Sequence, residues 1–107
     1  MLEKVKYLMG ADPNSSLSKM FGVYDKASGL DLRGTFIISP EGMLMNSEVN
    51  YFNLGRNIDE ILRKVKANIY LSSHKGEGCP AKWRKEGDRT LHPSAKLVGR
   101  VFYALEA

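Results

Sequence analysis

The segment "NIDEILRKVKANIYL", residues 57–71, constrains the fold of this 107-residue chain more than any other stretch. Its apolar residues recur at helical spacing and form one stripe, which needs a partner surface to be stable. Asn57 is placed to cap the helix, and Glu60 follows at the capping-box spacing. The segment therefore predicts an amphipathic helix packed on another element. The stripe consists of Ile58, Ile61, Leu62, Val65 and Ile69.

A β-hairpin is predicted just before this helix. "RGTFIIS" is rich in β-branched and aromatic residues and is typical of a buried strand. "PEG", residues 40–42, supplies a turn in which Gly42 can take a positive φ. The return strand is expected at residues 43–49, and "DKASG", residues 25–29, predicts an earlier turn. Strands and helices in this order indicate an α/β domain.

Two weaker elements are expected nearer the N-terminus. Residues 5–9 form a short apolar run with strand character. "ADPNSSLSKMFG" predicts a helix with Asp12 as its N-cap, Pro13 at its first position and Gly22 at its end.

Beyond Ser72 the periodicity is lost among glycine, proline and charged residues, and it returns only weakly in "AKLVGRVFYAL", residues 95–105. Residues 72–107 carry seven cations and four anions, hence +3 of the formal charge of +4. We therefore expect a core at residues 1–71 and a basic arm at residues 72–107. A lone tryptophan beside a proline, Trp83, is interpreted as the anchor of this arm.

Composition excludes several protein classes. A single cysteine excludes an intrachain disulfide framework. No apolar run approaches the roughly 18 to 20 residues of a membrane span, and the N-terminus lacks the apolar region of a signal peptide, so a cytoplasmic protein is expected. His74, Cys79 and His92 supply only three zinc ligands at spacings of no standard finger, and neither a metal nor a cofactor is predicted.

Cys79 has two interpretations from the residues alone. A free cysteine is often a small buried hydrophobe. The surrounding loop "HKGEGCPAKW" is glycine-rich and charged, which argues against deep burial. Lys75, Lys82 and Arg84 would favour a reactive thiolate there.

Several strings together resemble one family. "ADP…FGVY", "RGTFIISPEG", "VN…LGRNIDEILR" and "GE.CPA.W" are similar to the C-terminal portion of typical two-cysteine peroxiredoxins, the group that includes alkyl hydroperoxide reductase C and the thiol-specific antioxidant proteins. The similarity runs from about Lys6 to about Leu105. It implies part of a thioredoxin-like α/β fold, namely a β-hairpin with two flanking helices, followed by an irregular C-terminal arm.

The resemblance assigns roles to three residues. Cys79 matches the resolving cysteine, which forms a disulfide with an oxidised cysteine on another subunit. Arg33 matches the arginine that stabilises the attacking thiolate and the peroxide, and Arg56 matches an arginine near the active-site loop. The implied partners are a peroxide, a thiol reductant such as thioredoxin or a flavoprotein disulfide reductase, and a second chain paired through residues 43–49.

The chain departs from the family pattern in one respect. It has no P-x-x-x-T/S-x-x-C string and no cysteine besides Cys79, so it is expected to be inactive alone. The strands that this half lacks would leave Phe36, Ile38, Ile61 and Val65 uncovered, which predicts either self-association or compact repacking.

Two alternatives of other classes remain open. One is a non-enzymatic subunit that joins peroxiredoxin oligomers. The other is a nucleic-acid-binding module on the basic arm, with Trp83, Phe102 and Tyr103 as stacking residues. Acidic residues interrupt the charge of the arm, and this disfavours nucleic-acid binding. They are Glu77, Glu86 and Asp88.

Overall fold

The computed structural model describes residues 5–106. It confirms a small α/β protein, although several elements differ in their bounds from those expected. In chain order the elements are α1 (Ser16–Met20), β1 (Tyr24–Asp25), β2 (Leu30–Asp31), β3 (Arg33–Ile38), β4 (Leu44–Asn50), α2 (Ile58–Ser73), a 3-10 turn (Ala95–Leu97) and α3 (Val101–Glu106).

The chain forms two compact units. One contains the described residues up to Thr35 together with Ser47–Gly55, and the other contains Phe36–Asn46 and the described residues from Arg56 onward. The division between a core at residues 1–71 and an arm at residues 72–107, which the sequence pattern suggests, stays a prediction.

In the first unit, α1 begins at Ser16, later than expected. Asp12 still acts as a cap, because its carboxylate accepts hydrogen bonds from the amides of Leu17 (3.2 Å) and Ser18 (2.9 Å). Gly22 follows the helix with a φ of 73°, as its predicted role as a stop requires. The strand expected at residues 5–9 is wrong: these residues form no strand and are exposed, and no sheet pairs with them.

The predicted hairpin is confirmed. β3 and β4 form a two-stranded sheet, joined by a turn in which the Ser39 amide donates to the Met43 carbonyl at 2.8 Å. Gly42 has a φ of 87° at this turn, a conformation that costs other residues strain. The turn at residues 25–29 is also confirmed, since it joins β1 to β2 in antiparallel register, with Tyr24 opposite Asp31.

Helix α2 begins as predicted at the Asn57 cap, whose side chain accepts from the Glu60 amide at 3.2 Å. Only half of the capping box is observed, because the Glu60 carboxylate pairs with Arg63. The apolar stripe remains largely uncovered. Val65 and Ile69 border a groove of about 570 Å³, formed with the hairpin. Its other apolar lining residues are Ile37, Ile38, Pro40, Met43, Met45 and Leu71.

Burial is sparse in the described part of the chain. Its buried apolar residues are Val23, Ala67 and Trp83, and only the last has a large side chain. Ile38, one of the residues expected to be uncovered, is 52% exposed, whereas Phe36 is half-buried. Ile61 and Val65 on α2 are half-buried as well.

The C-terminal arm follows α2 and is mostly irregular. The weak helical pattern at residues 95–105 divides into the 3-10 turn and α3, because Gly99 lies between them with a φ of 74°. Within residues 5–106, no helix combines the length and the apolar character needed to cross a lipid bilayer.

Candidate functional site

Cys79 lies in the second unit, in the first part of the arm, and its side chain is half-buried. The residue before it is fixed by a two-way backbone bridge. The Gly78 amide donates to the Leu91 carbonyl at 2.6 Å, and the Leu91 amide donates back at 2.8 Å. The thiol therefore sits beside a point where the arm crosses over itself.

Trp83 anchors this segment, as the sequence predicts. Its side chain is only 2% exposed, and its ring lies 5.4 Å from the ring of Tyr70 on α2. Arg63, also on α2, donates from Nη1 to the Trp83 carbonyl at 3.2 Å. Among the described atoms, the buried indole Nε1 has no hydrogen-bond acceptor.

A second attachment joins the arm to α2 through Glu77. The Tyr70 hydroxyl donates to Glu77 Oε1 at 3.0 Å, and the Thr90 hydroxyl donates to the same oxygen. His74 stacks on the Tyr70 ring at a centroid distance of 3.8 Å and donates from Nδ1 to the Tyr70 carbonyl at 2.8 Å. The polar face of α2 thus holds the arm on both sides of Cys79.

The protonation of Cys79 differs from expectation. Burial raises the pKa of the thiol above its ordinary value, the Glu77 carboxylate raises it further, and only Arg63 lowers it. The expectation that Lys75, Lys82 and Arg84 would favour thiolate is therefore wrong for the docked arm. The physical reason is that the thiol is partly withdrawn from water, and the cation that acts on it comes from α2.

Arg63 is itself held in place by a short ion pair. Its Nε and Nη2 atoms each lie 2.7 Å from a carboxylate oxygen of Glu60, one turn earlier on α2. This two-point contact raises the pKa of the guanidinium and lowers the pKa of Glu60. Arg63 therefore contributes a permanent positive charge of fixed orientation near the thiol.

The resemblance also singles out two arginines. Arg33 begins β3 in the first unit, is exposed, and donates from Nε to the Phe52 carbonyl at 2.9 Å. Arg56 is exposed immediately before the Asn57 cap of α2, in the second unit. Their roles at an active site stay predictions.

The residues of α2 that hold the arm were missed by the sequence reasoning. A signal was nevertheless present, since Arg63 and Tyr70 lie two turns apart on one side of α2. Neither residue is aliphatic, so a search for apolar periodicity passes over both. Glu77 stood within the "GE.CPA.W" string but was counted only as an interruption of the basic arm.

A metal site finds no support in this part of the molecule. Within residues 5–106, no group of three or more His, Cys, Asp and Glu side chains is arranged to hold a metal ion. The Nδ1 atom of His74 is committed to the Tyr70 carbonyl.

Comparison with known proteins gives consistent relatives. No family model matches the chain. Alkyl hydroperoxide reductase C of Ferdinandcohnia aciditolerans is 46% identical over 98 residues, which cover 92% of this chain and 58% of that protein. The protein of the same name from Pseudomonas aeruginosa is 45% identical over 92% of this chain and 52% of its own length.

Solved structures agree with these relatives. The reduced two-cysteine peroxiredoxin of Plasmodium vivax superposes with a TM-score of 0.72 at 30% identity, over 83% of this chain and 47% of that one. AhpC of Enterococcus faecalis gives a TM-score of 0.61 at 44% identity, over 65% of this chain and 42% of that one. The chain belongs to the peroxiredoxin family. It spans between half and three fifths of the length of the two alkyl hydroperoxide reductase C relatives, which fits a match to the C-terminal portion of a peroxiredoxin.

Proposed function

We propose that this chain supplies the resolving half of a thiol-dependent peroxidase, with Cys79 as the thiol that captures an oxidised cysteine of another polypeptide. The observation that carries the proposal is the placement of Cys79. It is the only cysteine of a peroxiredoxin-family chain, and it lies half-buried in an arm attached to α2 by a few contacts. Such a thiol can be released to reach a partner without unfolding the helix.

The proposed chemistry has three steps. A peroxide oxidises a cysteine thiolate of the complementary polypeptide to a sulfenic acid and leaves as an alcohol or water. The Cys79 sulfur attacks that sulfenic sulfur, a disulfide forms, and the sulfenic oxygen leaves as water after accepting the thiol proton. Two thiols of a reductant such as thioredoxin, or of a flavoprotein disulfide reductase system, then reduce the disulfide and become oxidised themselves.

The two arginines have proposed roles in the first step. Arg33 would stabilise the oxidisable thiolate and polarise the peroxide, because a guanidinium presents several donors in one plane. Its bond to the Phe52 carbonyl uses Nε and so orients the group. Arg56 would lie near the loop that carries the oxidisable cysteine.

The structural setting of the proposal is a partial thioredoxin-like domain. The described hairpin and α2 would form the C-terminal part of that domain. Residues 43–49 would pair edge to edge with a second chain, since among residues 5–106 β4 has a sheet neighbour on one side only. The cytoplasm, where thiols are kept reduced, suits this chemistry.

The test is capture of a sulfenic acid. An alkyl hydroperoxide reductase C relative whose own resolving cysteine is replaced by serine is mixed with this chain and one equivalent of hydrogen peroxide. We expect a mixed disulfide on a non-reducing gel, with Cys79 identified as the linked residue by mass spectrometry. Cys79→Ser should abolish it, and Arg33→Ala should leave capture intact when the partner is oxidised beforehand.

Two outcomes would contradict the proposal. Persistence of the partner's sulfenic acid, with Cys79 remaining a free thiol, would exclude the resolving role. Stable association without any disulfide would favour the non-enzymatic subunit instead.

A further inference from the structure

Glu77 occupies an unusual position between α2 and the arm. One of its carboxylate oxygens, Oε1, accepts hydrogen bonds from the hydroxyls of both Tyr70 and Thr90, and all three residues are half-buried. Tyr70 belongs to α2, whereas Thr90 lies on the arm, thirteen residues after Glu77. A single carboxylate therefore joins three segments of the chain.

These hydrogen bonds coincide with the backbone bridge that flanks the thiol. Gly78 follows Glu77 and pairs with Leu91, which follows Thr90. The side-chain contacts hold Glu77 and Thr90, and the backbone bridge holds the residue that follows each of them. Cys79 is the next residue after this fixed point, so its position depends on whether the crossing is held against α2.

We propose that Glu77 is the positioning residue for Cys79, holding the thiol segment against α2 through the hydroxyls of Tyr70 and Thr90. In this docked state the thiol is kept idle, and breaking the Glu77 contacts frees it. The relevance of this device to disulfide formation depends on the proposed function, but the docking itself does not.

The charges around the cluster give the docked state a pH dependence. Cys79 faces Glu77 on the arm and Arg63 on α2, and Tyr70 on α2 also senses its charge. Glu77 in turn faces His74 at the end of α2 and His92 on the arm. The Thr90 hydrogen bond is the main cause that lowers the pKa of Glu77, and the Tyr70 hydrogen bond adds to it.

The signs then follow. Because the pKa of Glu77 is lowered in the docked arm, its contribution to docking is present above the ordinary glutamate pKa and is lost as the pH falls. Burial raises the pKa values of Cys79 and Tyr70, so their contributions are present below the ordinary pKa values and are lost as the pH rises. We expect docking to be greatest from roughly pH 5 to 8.

The experiment uses two reporters that occur once each in the chain, Cys79 and Trp83. Alkylation by iodoacetamide is followed from pH 6 to 10, and tryptophan emission reports whether the anchor remains buried. Glu77→Ala should accelerate alkylation about tenfold near pH 7, with a smaller effect toward pH 10 where the wild-type arm is itself less firmly docked, and shift the emission to the red, because both hydrogen bonds are lost. Glu77→Gln keeps an acceptor oxygen but no charge, so the emission should stay while the midpoint of the alkylation profile moves to lower pH.

Two matched changes test the hydroxyls. Tyr70→Phe retains the ring that contacts His74 and Trp83, and Thr90→Val retains the shape of the side chain. Each should accelerate alkylation less than Glu77→Ala, and the double variant should show less than the product of the two effects, because both donors act on one oxygen. Glu41→Gln, an equal charge change at the exposed hairpin turn, should behave as the wild type.

The outcomes separate the alternatives. Wild-type alkylation and emission in Glu77→Ala would overturn the proposal. An unshifted midpoint of the alkylation profile in Glu77→Gln would also contradict the proposal. It would show that Glu77 contributes only its hydrogen bonds and that its charge does not act on the thiol. If circular dichroism shows that Glu77→Ala has lost α2, the proposal is judged on Glu77→Gln and Thr90→Val instead. No peroxide or partner is present, so failure here is distinct from failure of sulfenic acid capture.

Discussion

At the scale of single residues, the environment of Cys79 is governed by groups that contact it in the folded chain and not by the basic residues nearest in sequence. Arg63 and Glu77 act on the thiol with opposite signs. Sequence proximity suggested a reactive thiolate, whereas the fold places the thiol in a partly dehydrated position. Chemical reactivity at such a site is decided by tertiary contacts, which a local reading of charge does not contain.

Replacing Arg63 tests this balance. Arg63→Gln removes the one charge that lowers the Cys79 pKa, so the midpoint of the alkylation profile should move to higher pH. With the arm still docked, the rate at neutral pH should fall by about two- to fivefold, because less thiolate is present. The measurement is the pH profile of iodoacetamide alkylation.

Lys66→Gln is the matched control, since it removes the same charge from an exposed position on α2 and should leave the profile unchanged. A midpoint that stays in place or moves to lower pH in Arg63→Gln, with normal tryptophan emission, would contradict this account.

At the scale of elements, α2 carries two different faces. The apolar stripe that identified the helix borders an open groove with the hairpin, and the face that carries Arg63 and Tyr70 holds the arm. The helix also depends on its N-cap, because the first amides of a helix have no partners inside it. Asn57 supplies one such partner to the Glu60 amide.

Removing this cap should weaken the helix measurably. Asn57→Ala should lower the free energy of unfolding by about 1 kcal/mol. Asn57→Asp should keep most of the wild-type stability. Aspartate accepts the same hydrogen bond, and its negative charge is stabilised at the positive end of the helix dipole. Urea denaturation followed by circular dichroism provides the measurement. Asn53→Ala, in an exposed loop, is the control, and an equal loss there would show that the cap contributes nothing specific.

Elements whose signals are local in the sequence could be predicted, and those that depend on tertiary contacts could not. The hairpin, its Gly42 turn and the start of α2 could be predicted because their signals are local: strand composition, a glycine at positive φ and a capping residue. The start of α1 was placed too early, since Asp12 caps from a distance and does not adjoin the first turn. The Trp83 anchor of the arm could be predicted, but the attachment through Glu77 could not, because Tyr70, Glu77 and Thr90 meet only in the folded chain and share no periodicity.

At the scale of the whole molecule, a large share of apolar surface remains uncovered. Ile69 is 65% exposed, Met43 is 66% exposed and Leu44 is 54% exposed, although all three belong to or adjoin regular elements. Monomeric proteins rarely leave contiguous surfaces of this kind to water. Ile69 and Met43 also line the groove between α2 and the hairpin, so this surface is continuous with an open apolar groove.

Self-association through this surface is therefore expected. Burying one isoleucine side chain contributes about 1.5 to 3 kcal/mol, so Ile69→Lys should shift the population toward monomer by tenfold or more. Sedimentation velocity at increasing concentration measures the shift, and tryptophan emission confirms that the arm stays docked. Asn53→Lys adds the same charge at an exposed position outside the groove and should sediment as the wild type. A well-folded wild-type monomer at high concentration would count against this expectation.

The buried indole of Trp83 has a consequence for how readily the arm departs. Its Nε1 hydrogen gives up contact with water on docking and gains no acceptor among the described atoms in return. A forfeited hydrogen bond of this kind costs about 1 to 3 kcal/mol, which opposes the gain from hiding the ring. When the segment lifts away, water restores that bond at once. The large aromatic side chain therefore holds the arm less firmly than its low exposure implies.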